Sequence, residues 1–106
     1  MTGVVTIFCA VPDRVSAAEM ARGLVEARLA ACVQALPVDS WYRWEGKVEA
    51  AAEQLLLIKT MRDRADAAMA WLAAHHGYDV PEIVMLPVDA GLPAYLDWVK
   101  ASVSPD

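Results

Sequence analysis

Apolar and polar positions along the chain follow two different periods, which separate predicted strands from predicted helices. The run of β-branched and aromatic residues at 4–9 predicts a buried strand. Apolar residues then recur at helical spacing. They predict a helix that begins at Ser16, with Glu19 completing a capping box, and ends near Leu29. The chain therefore opens with a strand followed by an amphipathic helix.

The middle of the chain alternates apolar and polar residues over two long stretches, 31–44 and 47–60. Glu45 and Gly46 between them predict a tight turn, since glycine accepts a positive φ. Each strand of this hairpin would measure roughly 45 Å at the usual rise per residue, against ~17–20 Å for the outer strands. The outer strands cannot cover the whole hairpin, so we expect other copies of the chain to cover its end.

The last third predicts a helix, a strand and a short terminal helix. The helix begins with a second capping-box pattern at Thr60 and ends at Gly77, the strand occupies 83–86, and Pro93 opens the terminal helix. The order β-α-β-β-α-β is that of the α+β ferredoxin-like split βαβ sandwich, with an antiparallel four-stranded sheet and both main helices on one face. At 106 residues we expect a single domain.

Composition excludes several classes of protein. A hydrophobic fraction of 58% and a charged fraction of 22% argue against intrinsic disorder. The net charge of −5 argues against a nucleic-acid partner, which would require a basic face. The longest apolar run, 67–74, is too short to span a membrane, and residues 1–4 show no secretory signal pattern. We therefore expect a cytoplasmic protein whose two cysteines stay reduced.

Topology places several chemistry-bearing residues at one pole of the predicted sheet. Element order alone brings together the end of the first strand (Cys9), the end of the second main helix (His75 and His76) and the start of the fourth strand (Glu82). Thiolate and imidazole suit copper or zinc. The alternatives are structural: Cys9 as a small buried hydrophobe, His76 packed below Leu72, and His75 stabilised by the helix dipole. A catalytic Cys–His pair ranks lower because no anion-binding loop accompanies it.

Several motifs in one order resemble those of the CutA-type divalent-cation tolerance proteins, from about residue 4 to 99. They are the stretches at 21–26, 28–33, 40–49, 57–60, 76–83 and 95–98. The resemblance implies a cytoplasmic homotrimer linked to copper and other divalent ions, with Cys9, His75 and His76 as the metal ligands. This chain has Gly77 where the family usually has proline, which leaves the orientation of His76 less constrained.

Two functions follow from these observations. The first is a trimeric protein that binds copper, or a similar metal such as zinc, in divalent-cation tolerance without catalytic turnover. The second is a small-molecule sensor resembling the PII family, with ligand sites between subunits; the short turn argues against it, since no long flexible loop is present. The residues expected to line such an inter-subunit cleft are Tyr42, Trp44, Lys59, Tyr78 and Glu82.

Overall fold

A computed structural model describes residues 2–105, and its four strands and three helices occur in the predicted order. They are β1 (Val4–Val11), α1 (Arg14–Glu26), β2 (Cys32–Trp44), β3 (Lys47–Met61), α2 (Arg62–His75), β4 (Ile83–Pro87) and α3 (Pro93–Val103). The strands form one sheet in the order β2-β3-β1-β4, and every neighbouring pair is antiparallel. The predicted split βαβ topology is confirmed.

The hydrophobic core lies between one face of the sheet and the two main helices. Alternate residues of β1 and β3, including Ile7 and Ile58, point to this face and are fully buried. Leu24 of α1 and Leu72 of α2 belong to the same buried cluster. Both helices therefore cover the same face, as predicted, and their close approach depends on Gly23, where an added Cβ would lie 2.6 Å from the Trp71 ring.

Helix ends differ from four of the predictions. Helix α1 ends at Glu26 and not near Leu29. Asp13, not Ser16, caps α1, because its carboxylate accepts a hydrogen bond from the Ser16 backbone N–H at 2.8 Å. This bond lowers the pKa of Asp13. Thr60 does not cap α2, because it lies inside β3 with its side chain buried and its hydroxyl unpaired within the described chain. Gly77 does not take up a left-handed C-cap, because α2 ends at His75 and His76 continues in extended backbone.

The β2–β3 hairpin extends well past the rest of the sheet. Its ladder runs from Cys32 opposite Lys59 to Trp44 opposite Lys47, whereas β1 covers β3 only as far as Gln54. We call the uncovered part, residues 38–53, the ribbon. Its turn has positive φ at both Glu45 and Gly46, as a two-residue hairpin turn requires.

Helix α3 packs against β3 and β1. Pro93 occupies the first turn of α3, as predicted. The side chains of Val99 and Val103 form the buried side of this helix. Tyr95 and Trp98 of the same helix remain partly exposed. No helix within residues 2–105 is both long enough and apolar enough to cross a membrane.

Candidate functional site

The pole predicted from the element order exists in the structure. Cys9 near the end of β1 lies directly opposite Ile83, the first residue of β4. The His76 ring, just past α2, reaches the backbone carbonyl of Ala10. The ends of β1 and α2 and the start of β4 therefore converge, because antiparallel pairing returns the chain to this end of the sheet.

Cys9 belongs to the core rather than to a surface. Its side chain is fully buried on the face of the sheet that the helices cover. Burial, assisted by the nearby negative charge of Glu82, raises the pKa of the thiol from 9.0 to about 12. The thiolate form that binds a metal is therefore strongly disfavoured in this environment.

Both ring nitrogens of His76 are already engaged. Nε2 lies 2.7 Å from the carbonyl oxygen of Ala10, and Nδ1 accepts a hydrogen bond from the Tyr78 backbone N–H at 3.1 Å. A carbonyl only accepts and a backbone N–H only donates, so these two bonds require the neutral imidazole with its proton on Nε2. The ring ties the end of β1 to the segment after α2, and it offers no lone pair to a metal in this arrangement.

His75 faces a different direction. Its ring stacks on Trp71, with ring centroids 3.9 Å apart, and its Nδ1 lies 2.8 Å from the Trp71 carbonyl oxygen. Nδ1 therefore donates to that carbonyl, and Nε2 makes no hydrogen bond to the described part of the chain. Of the two histidines, His75 alone presents a ring nitrogen able to coordinate a metal.

The predicted ligands thus share one pole without forming a metal centre within one chain. Among residues 2–105, no three His, Cys, Asp or Glu side chains lie close enough together to hold a metal ion. Cys9 is protonated in the core, His76 is bonded at both nitrogens, and His75 is held against Trp71. In this arrangement the three residues do not fit a copper site.

A cavity within one chain brings together most of the residues predicted for an inter-subunit cleft, and the inter-subunit cleft itself stays a prediction. A cavity of about 710 Å³ lies between the ribbon and residues 77–82, and Tyr42, Trp44, Tyr78 and Glu82 all line it. Lys59 lies elsewhere on β3, opposite Cys32, where its ammonium donates to the Gln34 side chain. Within one chain, four of the five predicted cleft residues meet and the fifth does not.

Glu53 lines the cavity although it was not among the predicted cleft residues, and the same holds for Trp41 and Asp79. The Glu53 carboxylate accepts a hydrogen bond from the Tyr78 hydroxyl at 3.0 Å. Burial, followed by this bond and the Glu53 charge, raises the pKa of Tyr78 from 10.0 to about 12, so the hydroxyl keeps its proton and remains the donor. In the sequence Glu53 is one of several acids along the hairpin, and nothing in the pattern shows that residues 77–82 fold against it.

Known proteins are similar to this chain in sequence and fold. The family model described as CutA1 divalent ion tolerance protein matches residues 5–102. The Divalent-cation tolerance protein CutA of Pectobacterium atrosepticum is 44% identical over 100 residues, which cover 93% of this chain and 91% of that protein. The Protein CutA, chloroplastic, of Arabidopsis thaliana is 39% identical over 92% of this chain, which spans only 54% of that relative's length.

A solved structure gives the same result. The crystal structure of CutA from Xylella fastidiosa superposes with a TM-score of 0.94 at 45% identity, covering 96% of this chain and 99% of that one. The match extends over β1 to α3 and leaves no large segment of the chain unaccounted for. The chain belongs to the CutA1 divalent ion tolerance protein family.

Proposed function

We propose that this protein acts in divalent-cation tolerance as a cytoplasmic homotrimer without catalytic turnover. The observation that supports the assembly is the ribbon. A two-stranded ribbon is marginal in water by itself, and this one carries Trp41 and Val48 at 72% and 70% exposure. Two further copies of the chain would remove these side chains from water, which favours assembly through the hydrophobic effect.

Light scattering of the purified protein tests the trimer. The expected mass is three times the 11.5 kDa of one chain. Trp41→Glu combined with Val48→Glu places charge in the proposed interface and should lower the mass toward that of one chain. Val15→Glu is the matched control, because Val15 is similarly exposed (68%) but belongs to α1 and not to the ribbon, so this change should leave the mass unchanged. A wild-type mass near 11.5 kDa would overturn the proposal.

Copper binding by Cys9, His75 and His76 stays a prediction. It requires the thiol to leave the core environment that keeps it protonated, and the His76 bond to Ala10 to break. Calorimetric titration of Cu(I), Cu(II) and Zn(II) into wild type, Cys9→Ala and His76→Ala tests this ligand set. Binding lost in both variants supports it, whereas equal binding by all three proteins, or by none, overturns it.

The cavity favours a second function, the recognition of a small molecule in the manner of a sensor. Its volume of about 710 Å³ lies within the range of ligand pockets, and four predicted cleft residues line it. A screen of metabolites for a rise in melting temperature tests this function, since a ligand that binds only the folded protein stabilises it. A Tyr78→Leu variant, which removes one wall of the cavity, should lose the response.

A further inference from the structure

The cavity carries aromatic surface from two separate parts of the chain. Trp41, Tyr42 and Trp44 approach from β2 of the ribbon, and Tyr78 approaches from the segment after α2. Within one chain, Tyr42, Trp44 and Tyr78 are between 40% and 47% exposed, so their ring surface borders the cavity. Trp41 belongs to the proposed interface between copies and is not needed for the argument that follows. Aromatic faces carry negative electrostatic potential and attract cations that lie above them.

The charged residues of the cavity are all acidic. Glu53, Asp79 and Glu82 line it, and none of its lining residues, all within the described chain, is basic. The ion pair found in residues 2–105 joins Arg22 to Glu26 on α1, so no such pair neutralises the three carboxylates of the cavity. The Tyr78 hydroxyl donates a hydrogen bond to the Glu53 carboxylate, so it adds no negative charge. The cavity therefore attracts cations and repels anions.

The kind of cation follows from what surrounds these carboxylates. A metal ion needs several ligand atoms at about 2.0–2.6 Å, and no three acidic, histidine or cysteine side chains of residues 2–105 are grouped to supply them. An alkylammonium ion needs a diffuse negative field and ring faces within about 6 Å. We propose that the cavity binds a small organic ammonium ion. This inference rests on the second proposed function, recognition of a small molecule in the cavity, and names the ligand class.

Different residues of the cavity supply negative charge and ring surface. Asp79 and Glu82 supply charge, while the rings of Tyr42, Trp44 and Tyr78 cover the alkyl groups and hold the cation out of bulk water. All of these residues come from one chain, so recognition does not require a neighbouring copy to contribute a ligand. A second copy packed on the ribbon would narrow the open side of the cavity.

Choline and its neutral isostere 3,3-dimethyl-1-butanol provide a matched pair of probes. Titration calorimetry at low ionic strength on the protein as purified should show choline binding at least about fivefold more tightly, since the two differ in charge and hardly in shape. Asp79→Asn and Glu82→Gln should each weaken choline binding by about threefold to fivefold. Glu19→Gln on α1, outside the cavity, is the control and should leave it unchanged.

Tyr78 separates the contribution of the ring from that of its hydroxyl. Tyr78→Phe keeps the ring and should bind choline within about twofold of wild type, whereas Tyr78→Leu should bind about threefold or more weakly. Light scattering on each variant confirms that its mass matches wild type, so that a change in binding is not a change in assembly.

Four outcomes would overturn the inference. If the neutral isostere bound as tightly as choline, the cavity would recognise apolar shape and not positive charge. Binding of ATP in the cavity, without choline, would preserve small-molecule recognition while disproving the cationic class. Choline binding that Mg²⁺ abolishes, with Mg²⁺ binding itself lost in Asp79→Asn, would assign the cavity to a metal ion. Binding of neither choline nor any molecule of the metabolite screen would remove both the inference and the second proposed function.

Discussion

The same two strands, β2 and β3, pass through two very different environments. Where β1 and the helices cover them, Leu56 and Ile58 are fully buried. In the ribbon, Trp41 and Val48 of the same strands are mostly exposed. The difference lies in what is packed on the strands and not in their hydrogen bonding, since the ladder continues unbroken to the turn. Apolar side chains in the first region stabilise the chain, whereas those in the second become useful only when something else covers them.

The largest expected effect lies in the helix-covered region. Leu24→Ala removes a fully buried side chain from between α1 and the sheet, and should lower the free energy of unfolding by about 2–5 kcal/mol. Urea denaturation measures the loss. Val25→Ala is the control, because Val25 is the next residue along α1 and is 43% exposed, so its loss should be clearly smaller. Equal losses in the two variants would contradict the contrast between covered and uncovered positions.

The Gly23–Trp71 contact sharpens the same contrast between crowded and open positions. Gly23→Ala should destabilise the protein by about 1–3 kcal/mol although alanine favours a helix, because its Cβ would lie 2.6 Å from the Trp71 ring. Thermal or urea unfolding checks this. Combining it with Trp71→Leu should recover part of the loss; a double variant no better than the sum of the two single changes would argue against a steric cause.

Cys9 makes the covered region sensitive to alkaline pH. Its thiol has a pKa of about 12 when folded against 9.0 for the unperturbed group, so between these values the unfolded chain releases a proton that the folded chain keeps. The contribution of this thiol to the free energy of unfolding is fully present below pH 9. It should fall by up to ~1.4 kcal/mol per pH unit as the pH rises toward 12.

Urea unfolding from pH 8 to 10.5 in wild type and Cys9→Ala measures this slope. Cys9→Ala should lose this fall in stability with pH. Cys32→Ala, which removes a partly exposed thiol, should keep it. Tyr78→Phe is a second control, because the pKa of Tyr78 is also raised, and it reports that separate contribution. Parallel curves for wild type and Cys9→Ala would place Cys9 outside the core.

A substitution at the glycine of the ribbon turn should change stability through backbone conformation alone. Gly46 has a φ of +79° with open space where a Cβ would lie, so Gly46→Ala should cost about 1 kcal/mol from the left-handed conformation and nothing from contacts. Gly77 also has open space but no positive φ, and Gly77→Ala should have no more than a slight effect. Denaturation of the two variants side by side distinguishes them; a Gly77 loss as large as that at Gly46 would disprove this explanation.

The smallest expected effect is a gain in stability from a change in the ribbon turn. Glu45 already has a φ of +50°, and asparagine adopts this conformation more readily in a two-residue turn before glycine. Glu45→Asn should raise the free energy of unfolding by a few tenths of a kcal/mol, to about 0.5 kcal/mol at most. A decrease would show that Glu45 has a role in the ribbon beyond the turn.

Much of the candidate site could be predicted because it depends on element order. Cys9, His76 and Glu82 were expected at one pole, and antiparallel pairing brings their segments together there. What could not be predicted was the state of each side chain. The hydrogen bonds of His76 to Ala10 and Tyr78 depend on angles that no spacing encodes. For Cys9 the sequence left two alternatives open, a metal ligand and a buried thiol, and the packing decides for the buried thiol.

Sequence alone determined the order of the elements, the excess length of the hairpin and its two-residue turn, because these follow from local periodicity and the conformational preferences of glycine and proline. Tertiary structure decided which apolar residues are covered and what the polar residues bond to. Glu53 and Tyr78 are 25 residues apart, and only the folded chain makes them partners in one acidic, aromatic cavity. Burial and pairing depend on neighbours distant in the chain, so they are properties of the packed molecule and not of any segment.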